Sequence, residues 1–183
     1  MTTYDTPVTP AAPSAPAVPT PADRVRTHSW RPRPDATPEL LGMSGLEILR
    51  AALEGRLPAA SIMSTLGFRL TEVDEGLAVF EGDPGDHLLN PMGTVHGGFL
   101  ATLLDSALGS AVMTRLPAGT AYTTVQLGVH MVRPVLPDTP ALRCEGRTVH
   151  VGRTTATAEA RVVGTHDGRI YAHGTTTCAV LRP

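Results

Sequence analysis

The residues best suited to chemistry lie between positions 90 and 124. Asn90-Pro-Met-Gly-Thr-Val-His96-Gly97-Gly98 closes a loop rich in Gly, Asp, Asn and Pro. A long apolar helix pattern follows at once, with Asp105 eight residues after Gly97. The first N–H groups of a helix have no partner inside it and carry positive partial charge. Glycine lets a substrate approach that backbone closely. Gly97 and Gly98 therefore suit an anion, or the oxyanion that develops during acyl transfer. One such hydrogen bond is worth about 3–4 kcal/mol in a transition state. Alone, His-Gly-Gly reads equally well as a tight turn that happens to contain a histidine.

Asp105 changes the weighting. A carboxylate among Leu103, Leu104, Ala107 and Leu108 is costly unless it is paired, hydrogen-bonded or put to use. In such a place it can act as a general base toward water or as a nucleophile. Asn90 and Thr124 are able to orient water or a carbonyl, and by themselves read as ordinary loop and strand residues. No GxSxG elbow, Walker loop, HExxH or helix-opening GxGxxG is present. His130, His150, His166 and His173 show no metal-ligand spacing. Cys144 and Cys178 show neither CxxC nor a zinc pattern and read as reduced core thiols. Met92, Met113 and Met131 read as core filler. The expectation is a site with no metal and no cofactor.

Charge and composition narrow the field further. Charged residues make up 17 % of the chain and the net charge is −2, so no basic excess points to nucleic acid. The short stretch from Arg24 to Arg33 is broken by prolines and reads as a solvated tail. No apolar run reaches the ~18–20 residues that span a bilayer. The N-terminus lacks the basic start and apolar stretch of a signal peptide. A cytoplasmic protein without membrane attachment is expected.

Elements must hold these residues in place. The 183 residues, 42 % of them hydrophobic, suffice for one domain with a buried core. Residues 1–37 hold eight of the 17 prolines and read as a disordered or polyproline-like tail. Thr37-Pro38-Glu39 predicts a helix start and Gly55 its end, giving a helical extension over 38–56. The main domain is then 57–183. Two strands flank the turn at Asp74-Glu75-Gly76. The strongest helix runs from His96 to about Leu116, almost uncharged apart from Asp105, and should be buried on most sides. Residues 122–132 alternate as a strand with Val125, Leu127, Val129 and Met131 on one face. Strands at 141–151, 153–163 and 170–181 follow with hairpin-like links. The order predicts an α+β domain in which antiparallel strands wrap a single buried helix.

Taken together, Asn90 through Gly98, Ala101 through Asp105, Thr123-Thr124-Val125 and Arg133-Pro134 resemble the PaaI-like branch of the hotdog-fold acyl-CoA thioesterases, over roughly residues 60–182. The resemblance implies a curved antiparallel sheet wrapped around the helix at 96–116. It also implies a homodimer or dimer of dimers, joined through the sheets, with the site at the interface and the aspartate supplied by the partner chain. Residue by residue, it makes Asp105 the general base or nucleophile and the Gly97 N–H the oxyanion donor. His96 holds the loop and the substrate, and Asn90 positions water or the carbonyl. Thr124, or Thr123 after a one-residue shift, supplies a water-orienting hydroxyl. Gly98 and Thr123 fall on the substrate-binding side, and Gly152-Arg153 near the pantetheine arm or nucleotide of coenzyme A. A thioester is already activated, so a carboxylate and an oxyanion hole can suffice without a metal.

The helix at 38–54 is an addition to the minimal domain, either capping one end of a substrate tunnel or covering an edge. Another hotdog branch places Glu near the position of Asp105. Two other functions stand beside hydrolysis. One is a non-catalytic acyl-CoA or small-ligand binding protein of the same fold, which has no need of a lone buried acid. The other is a hotdog hydratase or dehydratase, which pairs His with Asp or Glu differently.

Overall fold

The computed structural model describes residues 22–182. The tail expected over residues 1–21 lies outside the described residues. Its remainder, 22–37, forms neither helix nor strand, yet it is held to the domain. Arg24 pairs with Asp86, and Arg26 Nη1 donates to the Thr65 carbonyl at 2.7 Å.

The single helix expected over 38–54 is two. The Thr37 hydroxyl accepts from Leu40 N at 3.2 Å and starts α1, Pro38–Leu41. The chain then breaks at Gly42, and Ser44 opens α2, Gly45–Leu53, with a reciprocal cap: its hydroxyl accepts from Glu47 N at 3.3 Å while its N–H donates to Glu47 Oε2 at 2.7 Å. Ser-x-x-Glu is a start signal inside what Thr37-Pro38-Glu39 and Gly55 present as one helix. A short α3, Ser61–Leu66, precedes the first strand and was not foreseen.

The hairpin expected at Asp74–Gly76 joins β1, Phe68–Asp74, to β2, Leu77–Gly82. Then come α4, Gly97–Met113; β3, Ala121–Met131; β4, Leu142–Val151; β5, Thr155–Gly164; and β6, Ile170–Leu181. All six strands pair antiparallel in the order β1-β2-β4-β5-β6-β3. The hairpin-like links hold for β4-β5-β6 but not for β3, which pairs with β6 at the sheet edge. The helix explains this. At 17 residues α4 is about 25 Å long, enough to cross the ~19 Å of four strand spacings between β2 and β3.

The core is the contact between α4 and the concave face of the sheet. Leu103, Leu104, Ala107 and Leu108 are fully buried, against Cys144, Ala156, Ala158 and Val162. Truncating one of these leucines to Ala would cost about 2–5 kcal/mol. Small residues set the spacing: a Cβ on Gly146 of β4 would run into the Ala107 carbonyl. Cys144 and Cys178 are both buried and unpaired, and burial pushes the Cys144 thiol up to about 12. No helix among the described residues is long and apolar enough to cross a membrane.

Candidate active site

The loop at 88–96 is tied down before the helix begins. His96 N donates to the Leu88 carbonyl at 2.7 Å and Val95 N to the Val135 carbonyl at 2.9 Å. Asn90 spends its side chain on this loop: Nδ2 donates to Thr94 Oγ1 at 2.8 Å, and Oδ1 accepts from Met92 N at 2.9 Å and Thr94 N at 3.3 Å. Its observed work is to shape the turn that delivers His96.

His96 is the N-cap of α4, and its Nδ1 accepts from Gly98 N at 2.9 Å. That bond leaves the proton of the neutral ring on Nε2, which is free to donate outward. It also uses the Gly98 N–H. The N–H of Gly97 has no partner among the described residues, so of the two glycines it is the available oxyanion donor. The end of the Met131 side chain lies over Gly97, where a Cβ would meet it. Met92 and Met131, expected as core filler, are instead 84 % and 51 % exposed.

Asp105 sits half-buried on α4, and the Thr124 hydroxyl donates to its Oδ1 at 3.1 Å. A bulge in β3 makes this contact. The pairing of β3 with β6 slips between Thr124 and Gln126. Leu127 and Val129 face the core as their alternation predicts, but Val125 is 60 % exposed. Uninterrupted alternation would have turned Thr123 toward the helix. The extra residue at 125 reverses the parity, aims Thr124 at Asp105 and leaves Thr123 exposed on the other face. The Thr176 hydroxyl donates to the Gln126 carbonyl at 2.8 Å and stabilises the bulge.

Two neighbours of Asp105 escaped the sequence reading, because strand register alone reveals them. Cys178 is the register partner of Thr124. Burial, outweighing the hydroxyls of Thr176 and Thr124, raises its thiol, so it stays protonated and is a poor nucleophile. Tyr122 lies two residues before Thr124 on the same face. Burial first, then Cys178 and Asp105, raises its phenol.

The expected residues thus fall into groups. His96, Gly97 and Gly98 form the helix start, and Asp105 with Thr124 forms a second group about 12 Å along the same helix. Thr123 joins neither. Gly152 and Arg153 lie in the β4–β5 turn, where Gly152 N donates to the Thr155 carbonyl at 2.7 Å. The cross-sheet row Val151, Ala156, Cys178, Thr124 puts that turn at the sheet end of Thr124, three strand spacings or about 14 Å away. His130 and His173 are register partners with rings stacked at 4.8 Å. Among the described residues no three His, Cys, Asp or Glu side chains are grouped to hold a metal.

A family model described as the thioesterase superfamily matches residues 92–171. A Halobacterium salinarum protein named as a candidate esterase is 42 % identical over 73 residues, 39 % of this chain and 46 % of that protein. The chain therefore spans about half the length of this curated relative. Among solved structures, a protein of Thermus thermophilus is 30 % identical with a TM-score of 0.60, over 68 % of this chain and 99 % of its own. A candidate thioesterase of Ralstonia eutropha, described as related to phenylacetic acid degradation, is 29 % identical with a TM-score of 0.64, over 71 % and 97 %. PaaI of E. coli, from the phenylacetic acid degradation operon, shares the fold with a TM-score of 0.65 at 21 % identity, over 77 % and 96 %.

Proposed function

The chain belongs to the thioesterase superfamily, with the PaaI-like hotdog fold, and from that premise we propose that it hydrolyses an acyl-coenzyme A thioester to the free acid and coenzyme A. The observation that carries this reading is a Gly97 N–H at a helix start, without a partner among the described residues, together with a half-buried Asp105 that accepts from Thr124.

The ~12 Å between these groups on one helix exceeds the reach of a single thioester carbonyl. In this reading the site is therefore shared by two copies, Gly97 from one and Asp105 from the other. The carbonyl oxygen accepts from the Gly97 N–H, which strengthens as negative charge develops there. The Thr124 hydroxyl occupies Asp105 Oδ1 and leaves Oδ2 to take a proton from water as that water attacks. In the nucleophilic variant Oδ2 attacks the carbonyl carbon itself, and water then releases the acid from the anhydride. Collapse of the tetrahedral intermediate breaks the C–S bond; in the general-base route Asp105 returns to the departing thiolate the proton it took from water, and in the nucleophilic variant the thiolate takes its proton from solvent. His96 Nε2–H is placed to donate to the substrate, and the Gly152–Arg153 turn is the candidate contact for the pantetheine arm or nucleotide.

An exposed edge at β3, with Val125, Met131 and Val132 each more than half exposed, supports pairing of two copies into a homodimer or dimer of dimers. The same reading takes 57–183 as the catalytic domain, 38–56 as its extension, 1–37 as the tail, and the cytoplasm as its place. The test is a panel of short-chain, medium-chain and aryl acyl-coenzyme A substrates with detection of free thiol. Turnover supports the reading. Tight binding without thiol release favours the non-catalytic function, and interconversion of enoyl and hydroxyacyl thioesters without thiol favours the hydratase; either result overturns it.

A further inference from the structure

Behind the Asp105 group lies a cavity of about 910 Å³ that none of the residues assigned above enters. It is walled by Ile48 and Ala52 of α2, Leu57 of the following link, Met113 at the end of α4, and Tyr122 at the start of β3. Tail residues also line it and bring charge to that side: Arg31, Arg33 and Asp35, with Pro34 and Ala36. The cavity is thus made largely by residues 31–61, outside the span matched by the family model.

Tyr122 separates this cavity from the carboxylate. Tyr122 lines the cavity, while its hydroxyl packs on α4 at Gly109, where a Cβ would stand 2.7 Å from Tyr122 Oη. Gly109 is one turn beyond Asp105, about 6 Å along the helix, and Thr124 is two residues from Tyr122, about 7 Å along the strand. Met113 on the far wall is about 12 Å from Asp105. A glycine at 109 is what lets the phenol reach the helix and close the gap. Neither Asp105 nor Thr124 lines the cavity, so it stops at Tyr122.

We propose that Tyr122 is the partition that ends the acyl site and sets acyl length: the chain accepts short or aryl acyl groups, and the cavity behind Tyr122, apolar on the side of Ile48, Ala52, Leu57 and Met113, is an extension that opens when the ring is removed. The inference rests on the reading of Asp105 as the catalytic carboxylate.

The test compares kcat/KM for butyryl-, octanoyl- and dodecanoyl-coenzyme A in the wild type, Tyr122→Ala and Tyr122→Leu. Melting curves identify which variant is folded, and Leu keeps enough bulk to serve if Ala does not fold. The wild type should favour the short substrate, and the folded variant should raise the dodecanoyl-to-butyryl ratio by about tenfold or more. Adding Ile48→Trp, which fills the cavity from α2, should take that gain away. An unmoved ratio in an active, folded variant overturns the role of Tyr122, as does a wild type that already prefers dodecanoyl. Failure of the underlying reading looks different: Asp105→Asn would then hydrolyse every chain length at the wild-type rate.

Discussion

One helix carries both halves of the candidate site, and the halves are built in opposite ways. At its start, Gly97 offers bare backbone: an N–H with no partner among the described residues, held in place because His96 caps the neighbouring Gly98 and because Asn90 shapes the loop before it. Two turns on, Asp105 offers a side chain, half-buried, with its orientation fixed by a hydroxyl from the edge strand. The first half offers donors to developing negative charge, the Gly97 N–H and His96 Nε2–H, but no carboxylate to take a proton from water. The second can take a proton but has no donor for an oxyanion. What the contrast teaches is that each half lacks what the other has, at a separation that one chain cannot close.

Removing the carboxylate should break the pair most completely. Asp105→Asn is expected to lower turnover by about a thousandfold while leaving the melting temperature nearly unchanged, measured by thiol release and thermal unfolding. At the other half, Gly97→Pro deletes the N–H alone. Proline is well accepted at the first helical position, and His96 at φ −62°, ψ 135° already has the extended backbone that a residue before proline needs. Once the flexible end of Met131 has moved aside, the variant should fold and lose about a hundredfold in kcat. Thr124→Val keeps the shape of the side chain and removes its hydroxyl, and should cost about tenfold in kcat with little change in KM. The smallest effect is the stability part of His96→Ala, which also removes the donor placed toward substrate: loss of the helix cap should cost about 1 kcal/mol, a fall of about 2–4 °C in melting temperature.

The two halves also differed in how far the sequence revealed them. The Gly97 half is local: a loop, a cap and a helix start lie within nine residues, so types and spacing point to the helix start there, although His-Gly-Gly alone reads equally well as a tight turn. Asp105 was visible as a lone charge on an apolar helix. Its partner was not, because Thr123 and Thr124 differ only by the parity of β3, and parity is decided by the bulge at Val125 opposite β6, a strand some fifty residues away. Tyr122 and Cys178 were hidden for the same reason. Strand boundaries were legible from alternation, whereas the place of β3 beside β6 depends on how far α4 carries the chain across the sheet. The break between α1 and α2 is a different case. Its signal, Ser44-x-x-Glu47, is local, but it lies between a start signal at Thr37-Pro38-Glu39 and an end signal at Gly55 that read as one helix.

The central claim is that one copy supplies Gly97 and the other Asp105. Co-expressing Asp105→Asn and Gly97→Pro chains with different affinity tags allows the mixed dimer to be purified and assayed for thiol release. In the mixed dimer one site joins the intact Gly97 of the first chain to the intact Asp105 of the second, and the other site has lost both groups. The account predicts about half the wild-type turnover from two chains that are each inactive as homodimers. A mixed dimer as inactive as its parents would contradict it.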